Sequence, residues 1–247
     1  MIIDANTMIG RWPTRSLKFS SVDDLIRQMD YHDISQAIVF SASSVKHNPI
    51  EGNIEMMKII SNHHDRIIPC WIVLPTWKIE TDREMIKDLK TNNVKVVRIF
   101  PKEHNFVLDN WVCSSLYKSL EKSRIPLLVD GVNANPSQLY MICSNYPELP
   151  VILVQSEYSL NRNLYMLFAQ CPNFYLEIST YFIYYGIEDI VNRFGASKII
   201  FGSRMPFQEP GAALTMVKMA DISPLDKEMI LGKNMEQLIK GVKYKNG

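Results

Sequence analysis

The sequence predicts an α/β fold, a single (β/α)8 TIM barrel spanning residues 1–247. Three observations predict it. Short β-branched or apolar runs recur eight times, about 20 to 40 residues apart, each followed by a more polar, helix-like stretch. No Ser/Gly-rich linker, low-complexity tract or clean internal repeat divides the chain. And 247 residues is the length one such barrel consumes.

Taken in order, the first strand is "IIDA" at 2–5, and alternation along "IIDANTMIG" puts Asp4, Asn6 and Met8 on one side. Strands follow at "QAIVFSA" (36–42), "RIIPCWIVL" (66–74), "VKVVRIF" (94–100) and "IPLLVD" (125–130). The last three are "PVILVQ" (150–155), "FYLEIS" (174–179) and "KIIFGS" (198–203). The intervening stretches carry helix signals. In "SVDDLIRQMDYHD", Ser21 is placed to cap and Val22, Leu25, Ile26 and Met29 share a face. "TDREMIKDLKTNN" has acids in its first turn and Lys in its last, in keeping with the helix dipole. "DNWVCSSLYKSLEKS" and "SPLDKEMILGKNMEQLIKG" read likewise, the latter as one closing helix.

Bulk properties narrow the function classes. An apolar fraction of 47% supplies a sizeable core. A net charge of +1 gives no field to attract nucleic acid or an acidic membrane. No apolar run approaches the roughly 20 residues of a membrane span, and no secretory signal is visible. Cys70, Cys113, Cys143 and Cys171 lie far apart with no C-x-x-C pair, which argues for reduced thiols and a cytoplasmic location.

In a barrel, catalytic groups gather at the C-terminal strand ends. Those ends supply Asn6, Met8, Ser41, Arg98, Asp130, Gln155, Glu157, Glu177, Ser179 and Arg204, a polar set without histidine. His32, His47, His63, His64 and His104 fall in predicted helices or loops, so a Ser-His-acid triad is not supported. Arg98 is read either as an anion anchor or as half of a structural ion pair. Asp130, Glu157 and Glu177 are the candidate general acids or bases; pairing with the two arginines is the commoner fate of Glu157 and Glu177. Trp71 and Trp77 either wall the mouth or simply pack, and "YFIYYG" at 181–186 suits a pocket or a contact in a homo-oligomer.

These motifs resemble a known family. "IIDANTMIG" is similar to the "I-D-x-H-x-H-x-G" opening of the amidohydrolase-2 group of metal-dependent hydrolases and decarboxylases, and "KIIFGSRMP" to its eighth-strand "f-G-S-D-x-P". "VKVVRIFP", "IPLLVDG" and "LPVILVQSEY" resemble its fourth, fifth and sixth strands, and "ILGKNMEQLI" its closing "G-x-N" helix. The resemblance implies a (β/α)8 barrel holding one divalent metal. Its ligand positions fall on Asn6, Met8, Asp130, Gln155 and Arg204, so every one differs from the family pattern. Amide, thioether and guanidinium are poor partners for zinc or its neighbours. No metal cofactor is therefore expected. Arg204 is expected in the space of the lost ion, with Asp130 as its counter-charge.

The leading functional expectation is a divergent amidohydrolase-related protein without metal-dependent hydrolysis. It would bind a small, anionic organic molecule through Asn6, Met8, Arg98, Asp130, Gln155 and Arg204. The alternatives are a metal-independent hydrolase, as the resemblance to lactonases of pyrone dicarboxylates implies, or a non-catalytic scaffold.

Overall fold

A computed structural model describes residues 1–76, 82–156 and 158–244, with backbone alone at 82 and 83. Eight strands form: β1 (Ile3–Ile9), β2 (Gln36–Ser41), β3 (Ile67–Ile72), β4 (Val96–Ile99), β5 (Leu127–Asp130), β6 (Val151–Val154), β7 (Phe174–Glu177) and β8 (Ile199–Ile200). They pair in sequential order, every neighbour parallel. Past β8 the chain runs on beside β1 and closes the cylinder on it. Ala5 N–H donates to the Phe201 carbonyl (3.0 Å) and Met8 N–H to that of Met205 (2.9 Å). A cis Met205–Pro206 peptide bond follows.

Helices coat the outside: α1 (Val22–Tyr31), α2 (Ala42–Lys46), α3 (Pro49–Ile59), α4 (Asp82–Thr91), α5 (Asn110–Ser123), α6 (Pro136–Asn145), α7 (Asn161–Gln170), α8 (Gly186–Phe194) and α9 (Pro210–Met219). Ser21 caps α1 by accepting the Asp24 N–H, as its sequence predicts. Because each strand is covered on both faces, there are two apolar cores. The larger lies between strands and helices, and a smaller one fills the cylinder with Ile3, Ala5, Met8, Cys70, Leu128 and Ile152. No described helix is long and apolar enough to cross a membrane. All four cysteines are buried free thiols.

Two expectations change. The alternation in β1 slips at a bulge between Asp4 and Thr7. Ile3, Ala5 and Met8 consequently share the inner core, so Met8 does not extend the row begun by Asp4. The closing helix is not continuous either. It runs as α10 (Pro224–Glu228) and α11 (Asn234–Lys240), joined by a wide π-helical turn at Met229–Lys233. A π-turn redirects carbonyls from the α-helical ladder, and that of Ile230 accepts the Phe201 N–H (3.0 Å). A Cβ on Gly232 would lie 2.5 Å from the Met1 carbonyl oxygen, so only glycine fits there. Asn234 Nδ2 donates to the carbonyls of Ala196 and Ile199, both at 2.8 Å. The "G-x-N" motif thus anchors the last helix under the barrel and is a motif of fold.

Candidate functional site

A continuous polar network crosses the upper barrel. Arg98, third residue of β4, is wholly buried. Its Nη2 donates to Asp130 Oδ1 (2.5 Å) and its Nη1 to Asn6 Oδ1 (2.8 Å). The guanidinium lies between the rings of Phe40 and Phe100, 4.6 and 4.8 Å from their centroids. Gln155 Nε2 donates to the same Asp130 oxygen (2.7 Å). From Asn6 the chain continues, Nδ2 donating to Glu177 Oε2 (2.9 Å), which also accepts from Ser179 Oγ (2.9 Å). Burial pushes the Glu177 carboxyl upward, opposed by hydrogen bonds from Ser179 and Asn6 and by the Arg98 charge.

Beneath lies Asp4, wholly buried, whose Oδ1 accepts the N–H groups of Asn6 (3.1 Å) and Ser203 (2.9 Å). Burial raises its pKa from 3.8 to about 7 against those hydrogen bonds, with Glu177 adding to the rise.

Above the network a cleft of about 450 Å³ opens at the mouth. Aromatic rings of Trp12, Phe40, Phe100 and Phe207 wall it, and Asp130, Gln155, Arg204 and Arg15 supply its polar groups. Lys102 and Glu103 also face it, but Lys102 donates to the Val132 carbonyl and Glu103 pairs with Lys46 (2.7 Å). Arg204 is half-buried, 5.5 Å from the Phe207 ring, and its buried Nε has no acceptor among the described residues. Burial lowers its pKa, partly offset by Asp130, but a guanidinium stays charged at neutral pH.

This geometry rearranges the predicted site. Asp130 takes Arg98, not Arg204, as its ion-pair partner, and Arg98 does not itself line the cleft. Arg204 shares the cleft with Asp130 but makes no ion pair with a described residue. Glu177 is held by Asn6 and Ser179, without an arginine in hydrogen-bond contact. Met8 is fully buried in the inner core and does not reach the cleft. Glu157 and Trp77 lie outside the described residues. Ser41 caps α2, accepting the Ser43 N–H (3.2 Å).

Some cleft residues were not among the strand-end candidates. Phe100 sits two residues beyond Arg98 and shares its side by strand parity, a signal present in the sequence. Trp12, Arg15 and Phe207 come from loops, where no periodicity marks them.

The donors do not fit a divalent ion of the zinc or manganese type. Among the described residues, no three His, Cys, Asp or Glu side chains come together as a metal-holding group. Asp130 and Glu177 are already engaged by guanidinium, amide and hydroxyl donors, and a fixed positive charge sits between them.

Solved structures with the same fold match almost end to end. 5-Carboxyvanillate decarboxylase from Novosphingobium aromaticivorans, a structure with bound manganese, aligns with a TM-score of 0.79 at 14% identity, covering 97% of both chains. 2,6-Dihydroxybenzoate decarboxylase from Rhizobium gives 0.75 at 14% identity, covering 97% of this chain and 98% of the other. A probable 2-pyrone-4,6-dicarboxylic acid hydrolase from Acinetobacter baumannii, with citric acid bound, gives 0.72 at 16% identity, covering 97% and 99%. At such identities these likenesses establish the fold alone. No curated protein sequence matches the chain. The amidohydrolase family model, however, matches residues 28–240, most of the barrel, and the chain belongs to the amidohydrolase family.

Proposed function

We propose that this chain binds a small organic anion at the mouth of its barrel, and does so without a divalent metal. The observation that carries the reading is Arg204. It is a half-buried cation in an aromatic-walled cleft, with no carboxylate of the described residues in ion-pair contact. Arg15, 5.7 Å from the Phe207 ring, adds a second positive charge beside it. The rings suit the apolar body of an organic acid, and the guanidinium its carboxylate. Independence from metal is supported by Arg98, which already supplies the positive charge that Asp130 requires.

Elemental analysis of the purified protein should find no stoichiometric transition metal. Benzoate and citrate should serve as probe anions in thermal melts. An anion present at 100 times its Kd adds about 2.7 kcal/mol, and so raises Tm by roughly 5–10 °C. The rise should vanish in Arg204→Ala. A bound metal at one per chain overturns the metal-free part of the reading, and wild-type melts indifferent to both anions overturn the anion site.

A second reading, hydrolysis without metal, is favoured by Asp130. Alone among the network's carboxylates it borders the cleft, and its Oδ2 accepts no hydrogen bond from the described residues. It could take a proton from an attacking water while Arg204 holds the substrate. Glu177 lies deeper, under Asn6. Lactone turnover by the wild type that disappears in a folded Asp130→Asn variant would select this reading over binding alone.

A further inference from the structure

Seven non-glycine residues among those described have positive φ. Asp33, Asn93 and Asn105 are of types that tolerate the left-handed region. Arg124 is the C-cap of α5, where the left-handed region is common, and Tyr185, before α8, does not line the mouth cleft. Two remain: Gln155 (φ 52°) and Arg204 (φ 62°). Both follow a barrel strand, and both line the mouth cleft. A Cβ in this region crowds the following carbonyl, so such a conformation survives only where its surroundings enforce it.

The surroundings of both residues do so. Next to Gln155, the Val154 carbonyl accepts the Gly131 N–H (2.8 Å), and a Cβ on Gly131 would stand 2.8 Å from the Gln155 carbonyl oxygen. Thr180 Oγ1 donates to the Ser156 carbonyl (3.0 Å). Around Arg204 the clamp is tighter. Ser203 N–H is held by Asp4 (2.9 Å), Met205 N–H by Ser203 Oγ (3.0 Å), and the Met205 carbonyl by Met8 N–H (2.9 Å). Phe207 N–H then returns to the Arg204 carbonyl (2.9 Å).

We infer that this strain is a positioning device: the barrel holds Gln155 and Arg204 left-handed to aim their side chains across the cleft, with Asp4 and Ser203 as the residues that position Arg204. The inference rests on the anion-binding reading of the same cleft, and extends it to residues that never touch the ligand.

Glycine against alanine tests the strain, because both remove the same functional group and differ in the Cβ. At an unstrained site alanine is the more stable. At 155 and 204 the order should invert, Arg204→Gly and Gln155→Gly melting about 2–6 °C above Arg204→Ala and Gln155→Ala. Alanine melting at or above glycine at both sites overturns the inference, whatever binding does.

The aim is tested with the guanidinium left in place. Ser203→Ala and Asp4→Ala should each weaken benzoate or citrate about tenfold, and Asp4→Asn, which restores an acceptor oxygen for the Ser203 N–H, should recover the affinity lost in Asp4→Ala. Arg124→Gly, remote from the cleft, should leave affinity untouched. Unchanged affinity in Ser203→Ala overturns the positioning role. If glycine outranks alanine but wild-type protein binds neither anion, the anion reading is what fails, and the role assigned to the strain fails with it.

Discussion

Arg98→Met should lower the stability of the whole barrel by about 3–5 kcal/mol, the usual cost of removing one partner from a buried pair. The side chain is wholly buried, and Asp130 is left with Gln155 alone. Asn6 loses its donor, and the two flanking phenyl rings lose a desolvated cation. At about 2–4 °C per kcal/mol for a chain of this size, the melting temperature should fall by roughly 6–20 °C. The double variant Arg98→Met, Asp130→Leu should recover much of the loss, because the carboxylate left without its partner is removed as well. A single variant within about 1 kcal/mol of the wild type would show that the network does not hold the barrel together.

The second large effect is a pH dependence traced to Asp4. Its folded pKa is about 7 against an ordinary 3.8, because burial disfavours the carboxylate. For a raised pKa the sign is fixed. The group's contribution is fully present below the unfolded value and is lost as pH rises through the folded one. At pH 8 the folded barrel therefore carries a buried charge costing on the order of 4 kcal/mol. Asp4→Asn removes the titration while keeping an acceptor for Asn6 and Ser203. Measured by urea unfolding, wild type should gain about 2 kcal/mol relative to Asp4→Asn between pH 7 and pH 5. Glu177, whose pKa is also raised, titrates in both proteins, so the difference reports Asp4 together with its coupling to Glu177. Parallel stability curves over that range would contradict this account.

The fold was legible because strands buried on both faces leave an unmistakable trace. The run "VVRIF" and the eighth-strand "KIIFGS" each mark a strand without help from their neighbours. The site was legible as a set of residues but not as a set of partners. Arg98 and Arg204 both occur near strand ends, and spacing does not report depth. Arg98 is inside β4, one level below the mouth, where it reaches Asp130 directly. Arg204 stands four residues beyond β8 in a left-handed turn, so it reaches the cleft instead. Met8 was misplaced by a bulge, which no alternation rule predicts. The loop residues Trp12, Arg15 and Phe207 converge only through tertiary structure. Likewise, the break in the closing helix depends on a carbonyl wanted by Phe201, a demand invisible in helix propensity.

The seam between β1 and residues 201–205 has a consequence for how the chain is made. On a ribosome β1 emerges before the other seven strands, and its outer partner, residues 201–205, follows them all. Through most of synthesis it presents an unpaired edge with apolar neighbours, the kind of surface that recruits other strands. Contacts of such sequence separation also form slowly, because the loop they close holds the rest of the barrel. The nascent barrel thus depends on protection until residues 201–205 are released, and its cylinder closes only after all eight strands have been made.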